Sequence, residues 1–247
     1  MKKRLDASAL ISSARTAEQV LACSIVAVVC ACAHAYYCGR EKSIGKVPYL
    51  KRMDFHLNIF HCHFPIYSHC IAIGVENKDF NVYPQASAYS CAILAHYATC
   101  LADTLASELG MLSKESPRLI TSGRRVPAGT NGAVTVVGFV VSAIGGGIIG
   151  SSFAAMDFLS GLMVDFGTLT LFGVISGVLG SAIDSLLGAT LQATYYDEET
   201  QIIVPFFAPG LKHISGKNIL TNAQVNLFSV IITTAIGGML LGPIMFS

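Results

Sequence analysis

The chain has 247 residues, 53% of them apolar and 13% charged, where soluble domains carry about a quarter charged residues. Its formal net charge is +1 and its mean hydropathy is +0.59. These values exclude an ordinary soluble domain; the expected surroundings are membrane lipid, and no nucleic-acid partner is expected.

A bilayer core about 30 Å thick takes roughly 20 helical residues to cross. Five apolar runs approach that length: Gln19 to Tyr37, Ala86 to Leu109, Gly132 to Ala155, Phe166 to Thr194 and Val225 to Phe246. The expected fold is therefore all-α, a multi-pass transmembrane helical bundle of about five spans. Residues 1–85 form a divergent amino-terminal region with one span, and residues 86–247 a membrane domain with four. At the amino end, Lys2, Lys3 and Arg4 precede an apolar stretch ending "ACAHA", which imitates a signal peptide. The polar lead from Asp6 to Gln19 is long for such a signal, so an uncleaved helix is the preferred reading. All eight cysteines lie between Cys23 and Cys100, mostly inside apolar runs, as buried thiols acting as small hydrophobes. The cluster His56, His61, Cys62, His63, His69 and Cys70 lacks the spaced pairs that zinc uses, and neighbours such as those in "HCH" point to opposite faces in a strand. An irregular or re-entrant aromatic segment is expected there.

The second run carries no charge from Ala86 to Ala102, then closes with Asp103 and Glu108. In a helix starting near Ala86, Asp103 lies about 26 Å along the axis, close to the membrane surface. Glu108 comes just before Gly110, which reads as a C-cap. Two acids at a helix carboxyl end oppose its macrodipole, so this stretch is half of a candidate polar site. The loop that follows holds Lys114, Arg118, Arg124 and Arg125 against Glu115, whereas the next connection has Asp157 and Asp165 and no base. Positive-inside bias places the first loop on the cytosolic side, and the connection with Lys212, His213 and Lys217 returns there two crossings later. Within the first loop, Pro127, Gly129 and Gly132 mark turns and Thr130 or Asn131 reads as an N-cap. Backbone N–H groups beside Arg124 and Arg125 would suit a phosphate, although a positive-inside loop carries arginines in any case.

In the fourth run, Gly173, Gly177, Gly180, Ser181, Asp184, Gly188 and Gln192 recur at three- and four-residue spacing. That makes one helix face small and polar, suited to close packing in lipid. Asp184 lies well inside the run, where insertion of an acid costs about 2.5–3.5 kcal/mol, so it should face the bundle interior. "TNGAVTVVGFVVSAIGG" from residue 130 echoes "TNAQVNLFSVIITTAIGG" from residue 221. Duplication and chance both account for the echo; either way, Asn131, Asn222 and Asn226 stand near two helix starts on one membrane face.

"ADTLASELG", "SKESPRLIT", "VPAGTNGAVTVVG", "GSAIDSLLGATLQ" and "HISGKNILTNAQVNLFS" resemble, in order and spacing, the motifs of the transmembrane protein 19 family, multi-pass proteins related to plant phytyl-phosphate kinase. The resemblance runs from about Ser87 to the end. "KKRLD" at residues 2–6 weakly resembles a family segment before an inner span, which implies a chain lacking the family's first helices. The sequence departs from the family in having Leu105 in place of a tryptophan, and residues 46–75 read as an insertion.

The resemblance implies a lipid (isoprenoid) phosphate kinase-like phosphotransferase, using Mg²⁺ and a nucleoside triphosphate on an isoprenoid phosphate. Phosphoryl transfer needs acids to hold the metal and cations or N–H groups to hold phosphates. Asp103, Glu108 and Asp184 would be the metal-binding or catalytic acids, and Arg124, Arg125, Asn131, Lys212 and Lys217 would bind the phosphates of the nucleotide and substrate. No Walker-type loop is present. The competing readings are a non-catalytic transporter or assembly component, with Asp103 and Asp184 paired across helices to Asn or Ser, and a truncated, inactive family member.

Overall fold

The computed structural model describes residues 80–81, 84–110, 113, 115–159, 165–200, 202–204 and 207–247. The expected span Gln19 to Tyr37, the His and Cys cluster at 56–70 and the inserted stretch 46–75 lie outside these residues. Four long helices organise the rest: α1 (Pro84–Leu109), α2 (Val136–Leu159), α3 (Phe166–Leu191) and α4 (Asn222–Ile236), the last continuing through a π turn (Gly237–Leu241) into α5 (Gly242–Phe246). The π turn is how the helix passes Pro243, which has no N–H to donate; the Gly242 N–H reaches back five residues to Gly237 O.

Among the described residues, three helical segments are long and apolar enough to cross a bilayer: Val136–Ala155, Phe166–Leu191 and Asn222–Phe246. Each turns large apolar side chains outward, among them Val136, Val140 and Ile144 on α2, Leu171 on α3, and Ile231, Met239 and Ile244 beyond the start of α4. This inverts a soluble protein's pattern and suits lipid contact. α1 is as long but more polar, because it is enclosed. Together with α3 it forms the centre of the bundle, each of the two packing against all the other long helices. Leu94, Ala95, Ala98, Thr99 and Ala102 are completely buried. A helix shielded by its neighbours does not need a lipid-compatible surface, so length and burial, rather than hydropathy, mark α1 as a member of the bundle.

Small residues let the backbones touch. A Cβ on Gly173 would run into Gly146 O and stand 2.9 Å from Gly150 Cα, and one on Gly177 would lie 2.9 Å from both Ala102 Cβ and Gly146 Cα. The glycine face expected from the sequence is thus the α1–α2–α3 junction. Aromatic packing of Phe172 against Phe246, with centroids 5.6 Å apart, ties the far end of α5 to α3.

The all-α expectation holds for the bundle, and the connections between helices fold as small antiparallel sheets. β1 (Arg118–Leu119) pairs with β2 (Ala133–Val134), and β3 (Thr194–Asp197) lies between β4 (Ile202–Val204) and β5 (Lys212–Ser215). The two sheets meet at one end of the bundle, where the Arg124 guanidinium donates to Ile214 O at 2.9 Å and Asn131 N–H to Thr194 Oγ1 at 3.2 Å. Returning N–H groups of Lys217 and Leu220 satisfy the Thr190 and Leu191 carbonyls at the end of α3, both at 2.9 Å.

The caps also differ from expectation. α2 starts after Thr135, whose Oγ1 accepts from Gly138 N–H at 3.0 Å, because residues 130–134 are spent on a turn and on β2. Gly110 is not left-handed; its carbonyl accepts from Thr135 Oγ1 at 3.4 Å and Ser113 N–H at 3.2 Å instead. α4 opens with a capping box between Thr221 and Gln224. At the opposite end of the bundle, Asp165 caps α3 by accepting from Thr168 Oγ1 at 2.6 Å and Thr168 N–H at 3.0 Å. The Thr168 side-chain bond, then the backbone bond, hold the Asp165 carboxyl below its ordinary 3.8. Because the folded value is depressed, the cap's contribution is complete above 3.8 and is lost as pH falls through the lowered value. Amide exchange should therefore show the first turn of α3 losing protection in that acid window, and Asp165→Ala should remove the pH dependence while lowering protection at neutral pH.

Candidate functional site

The carboxyl ends of α1 and α3 and the starts of α2 and α4 surround a cavity of about 280 Å³. α1 supplies Asp103, Ala106 and Ser107; α2 and its cap supply Thr135, Gly138 and Phe139; α3 and its C-cap supply Ser181, Asp184, Ser185 and Gln192; α4 supplies Asn222. Residues 128–134 close one side, and Glu115 lies on the wall as a further acid.

Asp103 stands six residues before the end of α1 and Asp184 seven before the end of α3, so both lie about 10 Å inside their helix ends. The sequence placed Asp184 deep and Asp103 near the surface, because the fourth apolar run was taken to Thr194. α3 in fact stops at Leu191, with Gln192 extended and Thr194 already in a strand, so Asp184 lies nearer its helix end than that run implies, and both acids line the cavity. Asp184 Oδ1 accepts from Ser229 Oγ of α4 at 3.1 Å. Asn131 lines the same cavity, and its Nδ2 donates to Ala193 O at 3.4 Å. The two "TN" dipeptides of the sequence echo therefore deliver Asn131, in the turn before β2, and Asn222, at the start of α4, to one cavity.

Glu108 is on α1 beyond Asp103, and its side chain lies outside the described set. The basic candidates are on the same face of the bundle but outside the cavity lining. Arg124 and Arg125 are exposed in the loop between β1 and β2, and the Arg124 guanidinium donates to Ile214 O. Lys212 pairs with Glu198 at 2.7 Å, and Lys217 is exposed. The acid half and the arginine half of the site read from sequence are thus neighbours in the fold but do not share the cavity. Sequence reasoning missed Glu115 as a lining residue; its only signal was being the lone acid of a basic loop.

Among the described residues, no group of three or more His, Cys, Asp or Glu side chains is placed to hold a metal ion by itself. Two carboxylates with amide and hydroxyl oxygens still fit Mg²⁺, which commonly takes one or two carboxylates and completes its shell with waters and substrate phosphates.

No solved structure matches the chain. The chain is 38% identical to Protein PGR of Arabidopsis thaliana over 147 residues, covering 58% of this chain and 51% of that protein. It is 33% identical over 146 residues to an uncharacterised membrane protein of Methanocaldococcus jannaschii, covering 58% and 48%, and 35% identical over 99 residues to one of Synechocystis, covering 40% and 36%. The chain thus aligns with about half or less of the length of these relatives. The family model described as integral membrane protein DUF92 matches residues 1–234, nearly the whole chain, and its helices carry lipid-compatible outer faces. The protein is a multi-pass membrane protein and belongs to the DUF92 integral membrane family.

Proposed function

We propose that the cavity is the site of a lipid phosphate kinase-like phosphotransferase that adds a phosphoryl group to an isoprenoid phosphate at the membrane surface. The observation that carries the reading is the convergence of Asp103 and Asp184, from two central helices, on one polar cavity beside Asn131 and Asn222. Phe139, on the lipid-facing side of α2, lies in the same wall, so a polar head and an apolar tail have adjoining places. When bound, Mg²⁺ would draw the charge of the transferring phosphoryl group onto itself, and the two aspartates would hold it. The nucleotide's terminal phosphoryl moves to a terminal oxygen of the prenyl monophosphate, forming a P–O–P bond and releasing the nucleoside diphosphate. Since the four basic residues lie outside the cavity lining, phosphate there would meet the cation and, among the described residues, neutral donors such as Asn131, Asn222, Ser185 and Gln192. The resemblance to the transmembrane protein 19 family supports the substrate class.

Purified protein incubated with a prenyl monophosphate, a nucleoside triphosphate and Mg²⁺ should yield prenyl diphosphate. Lack of product from this chain and from a relative would overturn the reading, whereas product from the relative alone would restrict the activity to the relative.

The Asp184 to Ser229 hydrogen bond favours a second reading, in which the acid pairs across helices in a non-catalytic transporter or assembly component. Under it, Asp184→Asn, which keeps an acceptor for Ser229, leaves function intact.

A further inference from the structure

The polar face of α4 continues inward from Asn222 to Asn226 and Ser229, which are 9% and 1% exposed. Two acceptors, Asp184 Oδ1 and Asn222 O, surround one end of the Asn226 amide, which assigns that end to nitrogen: Nδ2 then donates to Asp184 Oδ1 at 3.2 Å and to Asn222 O at 3.0 Å. The Ser229 hydroxyl lies 3.1 Å from the same Oδ1 and 2.9 Å from Asn226 O, so its single proton is divided between two acceptors. Asn226, with two N–H groups for two acceptors, is the firmer hold on Asp184.

The echo within the chain sharpens this. Asp103-Thr104-Leu105 near the end of α1 matches Asp184-Ser185-Leu186 near the end of α3, as Thr130-Asn131 matches Thr221-Asn222. At the positions that then correspond to Asn226 and Ser229, the first half has Thr135 and Gly138. The Thr135 hydroxyl is engaged as the α2 cap, with Gly138 N–H at 3.0 Å and Gly110 O at 3.4 Å. An amide donor at this position is therefore particular to the half that contains Asp184.

We propose that Asn226 is a positioning residue which, assisted by Ser229, fixes the Asp184 carboxylate in one orientation for a divalent cation in the cavity. The inference rests on the site reading above and deepens it. A carboxylate with one oxygen held from α4 cannot swing about its terminal torsion, so the direction its charge presents to the cavity is set before any ligand arrives. Partners of this outer kind are worth roughly 10–100-fold in metal affinity.

The test uses Mn²⁺ as the probe, with binding to the purified full chain followed by electron paramagnetic resonance. Wild type should bind Mn²⁺ in a component that Asp184→Asn removes. Asn226→Leu, similar in volume but without donors, should weaken that component by roughly 10–100-fold, and Ser229→Ala by less. Thermal unfolding of each variant separates this loss from a loss of fold; if Asn226→Leu does not assemble, Asn226→Ser, too short to reach the carboxylate, replaces it. Wild-type Mn²⁺ affinity in a folded Asn226 variant, where Asp184→Asn abolishes binding, overturns the positioning role and leaves the proposed site standing. No Asp184-dependent Mn²⁺ binding in wild type overturns both.

Discussion

Asp184→Asn is expected to lower turnover by about 10³-fold or more while leaving the protein folded and at least as heat-stable as wild type. The two effects have separate causes. A cation holding a transferring phosphoryl group contributes several kcal/mol to transition-state stabilisation, and the neutral amide cannot hold it. Stability moves the other way, because an acid within a span carries an insertion cost of about 2.5–3.5 kcal/mol and the uncharged amide costs less. The amide oxygen still accepts from Ser229 and Asn226, so the contact between α3 and α4 survives. Asp103→Asn should behave similarly in turnover, since Asp103 lines the same cavity. Turnover and thermal unfolding measured on the same preparations decide between the readings. Full activity in Asp184→Asn would identify the acid as an interhelical hydrogen-bond acceptor and remove it from the chemistry.

The membrane helices were legible because the feature that makes them is itself a sequence property: an uninterrupted apolar run has few alternatives in lipid. Val225 to Phe246 became Asn222–Phe246, and Phe166 to Thr194 became Phe166–Leu191. The ends were less legible. Strands of two to four residues carry no usable alternation, and β1 exists because Arg118 and Leu119 find Val134 and Ala133 across the loop. That pairing moved the start of α2 from Gly132 to Val136 and the cap from Thr130 or Asn131 to Thr135.

The site divides in the same way. The conflict with the helix macrodipole pointed to Asp103, the cost of an acid within a span to Asp184, and the echo to Asn131 and Asn222; all four reach the cavity. The arginines were visible as charge, but where they lie depends on how the loop folds onto the second sheet, where Arg124 reaches Ile214 O, and charge alone does not display that. Asn226 was visible as an amide near a helix start, and its partner emerged only from the packing of α4 on α3.

Gly132→Ala should destabilise the protein by about 2–5 kcal/mol and disrupt the cavity from its loop side, through two effects that a neighbouring glycine separates. Gly132 has φ +72°, and a Cβ there would overlap Ser185 O and Ala189 of α3. Gly123, in the same hairpin, has φ +66° with nothing within 4 Å of a Cβ. Gly123→Ala therefore measures the left-handed conformation alone, about 1–2 kcal/mol for a residue with a side chain. The excess in Gly132→Ala measures the collision, typically 1–3 kcal/mol when surroundings yield and more when backbone is struck. Relief requires residues 129–132 to lift off α3, drawing Asn131 N–H away from Thr194 Oγ1, now at 3.2 Å, and parting the loop wall from Gly188. Thermal unfolding of the two variants gives the energies, and amide exchange at Asn131 reports the lifted turn. Equal destabilisation by Gly123→Ala and Gly132→Ala would mean that the loop does not seat on α3 as closely as the fold places it.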